Sequence, residues 1–211
     1  METRCVAHEI RNQISICELY SRIIRKNLEN ECIKNDSIEN ALNCIERSLK
    51  VMSTNLLDLK SLSNLELKNY NLKDLLKEAV DMSVVYIQDK DIELSFSAPD
   101  NVNICADENK FLACIINVIK NAIEAIDKKG EIKITEEIIG NKVSIKISNN
   151  GKPIEKDVDI FKEGYTTKSS GNGLGLPICK KNIEAQNGIL TLSKSTENIT
   201  EFEIIMPINK N

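Results

Sequence analysis

The sequence predicts an α+β protein in two parts, a helical hairpin over residues 1–66 and an α/β sandwich over residues 67–211. Three observations carry this. Ile38, Ile45, Met52 and Leu59 recur every seven residues, and Leu42, Leu49 and Leu56 repeat the interval four positions on. Such a seam is covered only by other helices. After about Asn69 the pattern changes to short segments that alternate apolar and polar residues, interleaved with helical stretches. Near the end, Gly171, Gly173 and Gly175 lie just before a helical stretch.

The first helix is the less regular of the pair. On a wheel of about 100° per residue, Val6, Ile10, Ile14, Cys17, Tyr20, Ile24 and Leu28 share an arc of roughly 120°. His8 lies about 160° from Ile10 on the same wheel, so it is expected to be exposed. Asn12, one turn on, shares its face. The polar run from Asn30 to Asp36 breaks the helix, and Asp36 or Ser37 can cap the next one. A lone hairpin leaves its seam wet, so a homodimer closed as a four-helix bundle is expected.

In the second part, a helix is expected from Leu72 to about Asp89, then strands at Ile92–Phe96 and Val102–Cys105. A helix from about Glu108 to Asp127 follows, then strands Glu131–Glu137 and Lys142–Ser148 with Asn141 in their turn. A loop rich in Gly, Lys, Ser and Thr covers 151–173. The next helix starts near Leu176, with Pro177 in its first turn where a missing N–H costs little, and ends at Gly188. Strands Leu190–Ser193 and Thr200–Met206 close the chain.

Composition excludes several classes. A net charge of −4 and an aromatic content of 4% offer neither the basic footprint nor the stacking residues of a nucleic-acid binder. No apolar run has transmembrane length, and the charged N-terminal residues do not resemble a secretory signal, so a cytoplasmic protein without a membrane span is expected. Seven scattered cysteines, among them Cys17, Cys105 and Cys114, lack paired spacing and favour reduced thiols over disulfides or zinc.

The chemistry gathers in a few places. His8 is the single histidine of the chain and stands beside Glu9, so imidazole chemistry has one address. Alone, a histidine on a helix is usually an ordinary surface residue. Far downstream, Asn117 and Asn121 lie four apart on one face of a helix whose interior disfavours asparagine. An amide oxygen suits a Mg²⁺ ion that already holds phosphate oxygens and waters. Asn149-Asn150-Gly151 directly follows a strand, and Phe161 to Lys168 lies within the long loop. The Gly171-x-Gly173-x-Gly175 run sits at a helix N-terminus, where backbone N–H groups and the helix dipole favour phosphate. A phosphoryl group that moves from a bound nucleotide onto His8 would use all of them.

In this order the motifs resemble the transmitter core of a bacterial sensor histidine kinase. His8-Glu9-Ile10-Arg11-Asn12 resembles the H box, Asn117 to Ala125 the N box, 149–154 and 171–176 the two glycine boxes, and 161–168 the F box. The resemblance implies a dimerisation and phosphotransfer hairpin, an ATP-binding domain of the Bergerat type, and a mobile lid over residues 154–173. It implies autophosphorylation of His8 from Mg²⁺·ATP, with Glu9 drawing off the ring proton, and transfer to a response regulator receiver domain. Asn12 would position a water to dephosphorylate that regulator. ATP would meet Asn117, Asn121, Asn149, Gly151, Thr167, Lys168, Gly171, Gly173, Gly175 and Leu176, with Asn121 a ligand of Mg²⁺. Gyrase-type ATPases of this fold carry a glutamate base where this chain has Asn117, which cannot accept a proton at neutral pH.

Two departures stand out. Asn149 replaces the family's aspartate that reads the adenine amino group, and Pro153 replaces a glycine. Gln13 also replaces the proline usual after the H box. An amide loses the charge assistance of a carboxylate, a difference of about 1 kcal/mol. These changes leave an alternative: a phosphorelay histidine phosphotransferase with a degenerate ATP-binding domain. With seven residues before His8, a sensor is expected to be absent from this sequence or supplied by a separate partner protein.

Overall fold

The computed structural model describes residues 2–30, 35, 38, 39, 41–43, 45, 46, 48, 49, 52, 65–87, 90–97, 102–155, 158–166 and 173–209. Within 2–30, side chains are described for residues 10, 13, 14, 16, 17, 19–21 and 23–29. The chain divides into two compact units, Met1–Ser63 and Asn64–Asn211.

In the first unit, α1 spans Glu2–Asn30, and the described positions between Ile38 and Met52 are helical too. The Asn35 side chain caps the second helix by accepting from the Ile38 N–H at 3.2 Å. The cap thus lies at Asn35, not at Asp36 or Ser37 as expected, because its oxygen reaches the N–H three residues on. Arg25 ties the helices together: its guanidinium donates to Asn43 Oδ1 at 3.0 Å and Glu46 Oε1 at 3.2 Å, and lies 3.6 Å from Glu39.

Ile14, Ser21, Leu42 and Leu49 are buried in this unit, while Ile10, Tyr20, Ile24, Ile38, Ile45 and Met52 are exposed. Within this unit only part of the expected apolar arc of α1 is covered. Two crossing helices cover a narrow stripe of period seven, and Cys17 lies outside it, exposed. Leu56 and Leu59 of the predicted seam fall outside the described residues.

The second unit is a sheet covered on one face by helices. β1 (Lys68–Asn71), which sequence reasoning missed, pairs antiparallel with β3 (Asn103–Ala106). Between them come α2 (Leu72–Ser83) and β2 (Asp91–Ser97). Helix α2 stops well short of Asp89 and passes into a 3-10 turn over Val84–Tyr86. Two consecutive β-branched residues and a tyrosine crowd the preceding helical turn there. The Ser83 hydroxyl also donates back to the Ala79 carbonyl at 2.7 Å.

Then follow α3 (Glu108–Ala125), β4 (Lys129–Ile139), β5 (Lys142–Asn149), α4 (Gly175–Glu184), β6 (Ile189–Thr196) and β7 (Ile199–Pro207). The five-stranded sheet runs β2-β4-β5-β7-β6, with β2 and β4 parallel and the other pairs antiparallel. Its inner face presents Ile132, Ile134, Val143, Ile145, Ile147, Phe202, Ile204 and Met206 to α2 and α3, and all are buried. Alternation with polar residues on the other face is the period-two pattern of a sheet with one wet side.

Helix α4 ends in a Schellman motif whose left-handed residue is Asn187 (φ 59°), not Gly188. The Gly188 N–H bonds to the Ile183 carbonyl at 2.9 Å and that of Asn187 to Glu184 at 3.0 Å. Gly188 is needed for another reason: a Cβ there would lie 2.5 Å from the Met206 sulfur. Among the described residues no helix is long and apolar enough to cross a membrane.

Candidate functional site

One end of the sheet, helix α3 and the start of α4 bring most of the described downstream candidates together. On α3, Asn121 Nδ2 donates to Asn117 Oδ1 at 3.1 Å, so the two amides form a pair along one face. Gly175, the first residue of α4, lies against that pair: a Cβ on it would come within 2.6 Å of Asn117 Nδ2. Leu176, next to it, is half-buried. A glycine at this point lets the helix N-terminus close on the asparagines, and the opening of a helix favours an anion.

Gly173 has φ 62°, a left-handed conformation that costs a side chain. Its carbonyl accepts from the Gly164 N–H at 3.0 Å, and a Cβ on Gly173 would collide with the Gly164 carbonyl carbon. Gly164 is left-handed too, at φ 82°. The loop carrying Phe161 is anchored on α4, with Lys180 Nζ 4.9 Å from the Phe161 ring centroid and Lys181 paired with Glu163. That pair holds the Glu163 carboxyl below its usual range. Residues 161–164 are thus pinned to α4, and Gly173, just before that helix, to Gly164. Thr167, Lys168 and Gly171, which lie between, fall outside the described residues.

The opposite wall forms where β5 meets the C-terminus of α3. Gly151 sits on the last turn of α3, where a Cβ would be 2.6 Å from the Ala125 carbonyl, and the Lys152 N–H bonds to that carbonyl at 2.9 Å. Lys90 Nζ reaches the Ile123 and Ile126 carbonyls at 2.8 and 2.6 Å. A cation at a helix C-terminus fills bonds the helix cannot make for itself. Lys152 also pairs with Asp127 at 2.8 Å and lowers its carboxyl pKa.

Asn149 is the last residue of β5 and only 4% exposed, yet its Nδ2 has no hydrogen-bond partner. Directly across the ladder on β7 stands Thr200, 3% exposed, whose Oγ1 also lacks a partner. Two orphaned polar groups side by side on the inner face, at the end of a sheet otherwise lined by isoleucines, call for a polar ligand. Beyond Thr200, Ser195 of β6 straps the loop after β5: its hydroxyl accepts from the Ile154 N–H at 2.9 Å and donates to its carbonyl at 3.2 Å. Thr200, Ser195 and Lys90 were missed by sequence reasoning. Thr200 could have been found, because it heads the core-facing series Thr200, Phe202, Ile204, Met206 as its one polar member.

These features suit a polar, anionic ligand such as a nucleotide: unpartnered polar atoms stand at the sheet end, a helix opens at Gly175, and a pair of amides lies against that glycine. Among the described residues no cluster of three or more His, Cys, Asp or Glu could hold a metal. A cation here would take most of its ligands from phosphate and water. His8, Glu9 and Asn12 lie in α1, and their side chains are outside the described residues.

Comparison with known proteins agrees with this geometry. Residues 106–210 match the family of histidine kinase-, DNA gyrase B- and HSP90-like ATPases. The catalytic domain of histidine kinase ThkA superposes with a TM-score of 0.61 at 32% identity, covering 67% of this chain and 95% of that one. The structure of ThkA in complex with response regulator protein TrrA matches at TM-score 0.59 and 30% identity, over 99% of this chain and 61% of that one. Sporulation kinase C of Bacillus subtilis (strain 168) is 30% identical over 207 residues, 96% of this chain and 47% of the relative. Sensor histidine kinase ZraS of Escherichia coli (strain K12) is 28% identical over 97% of this chain and 44% of its own length. The chain spans about half the length of these two relatives.

Proposed function

That the chain belongs to the histidine kinase family, with an ATPase domain of the histidine kinase type, is the premise from which we propose its reaction: phosphorylation of His8 by ATP and onward transfer to a receiver aspartate. A ring nitrogen of His8 attacks the γ-phosphorus, the bond to the β–γ bridging oxygen breaks, and ADP leaves. Glu9 takes the proton that the ring nitrogen loses. Mg²⁺, when bound, neutralises charge on the phosphates. Asn121, hydrogen-bonded to Asn117, would supply its ligand from the chain. Thr167, Lys168, Gly171, Gly173 and Gly175 would serve the phosphates, as the resemblance to the family implies. Asn12 positions a water that hydrolyses the aspartyl phosphate of the phosphorylated regulator, releasing inorganic phosphate.

The observation that carries this reading is the orphaned pair Asn149 and Thr200 at the sheet end, with the glycines and Asn117–Asn121 beside it. Asn117 occupies the place of the gyrase-type glutamate base, so water is not activated and an acceptor with its own base is required. Residues 1–66 are the dimerisation and phosphotransfer hairpin and 67–211 the ATP-binding domain; the compact units Met1–Ser63 and Asn64–Asn211 support this division. Exposed Ile38, Ile45 and Met52 support a homodimer, since a second copy would cover them. The complex formed by ThkA with TrrA supports a response regulator as partner.

Incubation with γ-labelled ATP tests the reaction. An acid-labile, alkali-stable adduct that disappears in His8→Gln is expected. Acid-stable label, or label that survives the substitution, overturns it. A chain that takes phosphate only from a phosphorylated regulator, and never from ATP, is the phosphorelay phosphotransferase instead.

A further inference from the structure

We infer that Asn149 and Thr200 admit 6-oxopurine nucleotides, the inosine and guanosine triphosphates, as phosphoryl donors alongside ATP. This rests on the nucleotide-site reading and specifies which bases the site takes. The argument begins with the atom left unpaired. At 4% exposure the Asn149 amide is out of reach of bulk water, and its Nδ2 is a donor with nothing to donate to. Gly151 comes close to it, for a Cβ there would lie 2.9 Å from that nitrogen and would also strike the Ala125 carbonyl. A buried donor without an acceptor is costly, so the ligand that fits best brings one.

A carboxylate at this position offers acceptors alone and therefore reads the amino group at position 6 of adenine. An amide carries a donor at one end and an acceptor at the other. As oriented here it presents the donor, which matches the carbonyl at position 6 of hypoxanthine and guanine. Turned end for end, the same amide presents its carbonyl to the amino group of adenine. Thr200 pairs with Asn149 across the ladder, so both side chains stand on the same face of the sheet. Its unpartnered hydroxyl accepts from the N1–H of a 6-oxopurine or donates to N1 of adenine. Neither residue discriminates against a carbonyl at position 6, whereas a carboxylate would set two acceptors face to face.

The test is calorimetric titration of the full chain with the Mg²⁺ complexes of non-hydrolysable adenosine, guanosine and inosine triphosphate analogues. The parent should bind an oxopurine analogue within about tenfold of the adenosine one. Asn149→Asp should tighten adenosine binding and weaken both oxopurines by about thirtyfold or more, because the donor is replaced by a charged acceptor. Thr200→Val should weaken all three. If the parent binds the adenosine analogue but both oxopurines more than about a hundredfold more weakly, the inference falls and the nucleotide site stands. If neither the parent nor Asn149→Asp binds any of the three at millimolar concentration, both fall.

Discussion

The two compact units bury their apolar residues very differently. In Asn64–Asn211 isoleucines of α3 close on those of the inner face of the sheet, and Ile104, Ile115, Ile119, Ile132, Ile134, Ile145 and Ile204 are fully enclosed. In Met1–Ser63 the described hydrophobic residues buried are Ile14, Leu42 and Leu49, while Ile10, Ile16, Leu19, Tyr20, Ile23, Ile24, Ile38, Ile45 and Met52 remain exposed. A sheet with helices on one face completes its own core. Two helices have too few neighbours to do so. The first unit therefore leaves more of its apolar surface uncovered than the second.

The comparison breaks most severely at the chemistry. Asn121→Asp and Gly173→Ala should each abolish labelling from ATP, the first by altering the ligand for the cation, the second because Gly173 at φ 62° leaves no room for a Cβ beside Gly164. Neither should stop His8 from accepting phosphate from a phosphorylated regulator, which needs the hairpin alone. Loss of both activities in either variant would mean that the units do not work separately.

Within the hairpin, heptad positions divide into two kinds. Leu49 is 7% exposed and Ile45 46%. A charge at Leu49 strikes packing inside the hairpin, so Leu49→Asp should cost several kcal/mol, about 3–5, and give monomers or aggregates in light scattering. Ile45→Glu should leave helicity in circular dichroism unchanged and shift only the dimer to monomer. Dimers that persist in Ile45→Glu, or a parent that is monomeric at micromolar concentration, would rule out a second copy as the cover.

The smallest effect sharpens the view of the second unit. Glu136 lies on the inner, helix-facing side of β4 in the series Ile132, Ile134, Glu136, and neither carboxylate oxygen has a hydrogen-bond partner. Burial raises its pKa from 4.5 to about 7, against a smaller opposing pull from Lys73. A folded-state value above the unfolded one favours the neutral acid, so this contribution is present below pH 4.5 and is lost as pH rises through about 7. Glu136→Gln should therefore be more stable than the parent near pH 8 by on the order of 1 kcal/mol, and little different near pH 4. Thermal unfolding at the two pH values measures it. An equal shift at both would assign the effect to packing.

Much of the site was readable in the sequence where the chemistry demanded a particular residue. Asn117 and Asn121 were placed on one helical face by their spacing alone, and their amides do meet at 3.1 Å. The glycine run before α4 was visible as composition, but the demand behind each glycine was not. Gly173 is needed for its left-handed backbone, Gly175 for the approach of Asn117, and Gly151 for the last turn of α3. Thr200 and Ser195 escaped notice because their roles depend on which strands are neighbours.

The sequence by itself determined the period of each element, hence the hairpin helices and the alternating strands, because spacing along the chain decides which face a residue takes. It also set the residue types of the candidate site. Tertiary structure alone decided how wide the seam of α1 is, where α2 gives way, that 68–71 pairs with 103–106, and that Asn149 stands opposite Thr200 with two unmet hydrogen bonds. Those features come from contacts between segments far apart in the chain. No local propensity encodes them, since what fixes them is the register of one strand on another and the volume left when helices meet the sheet.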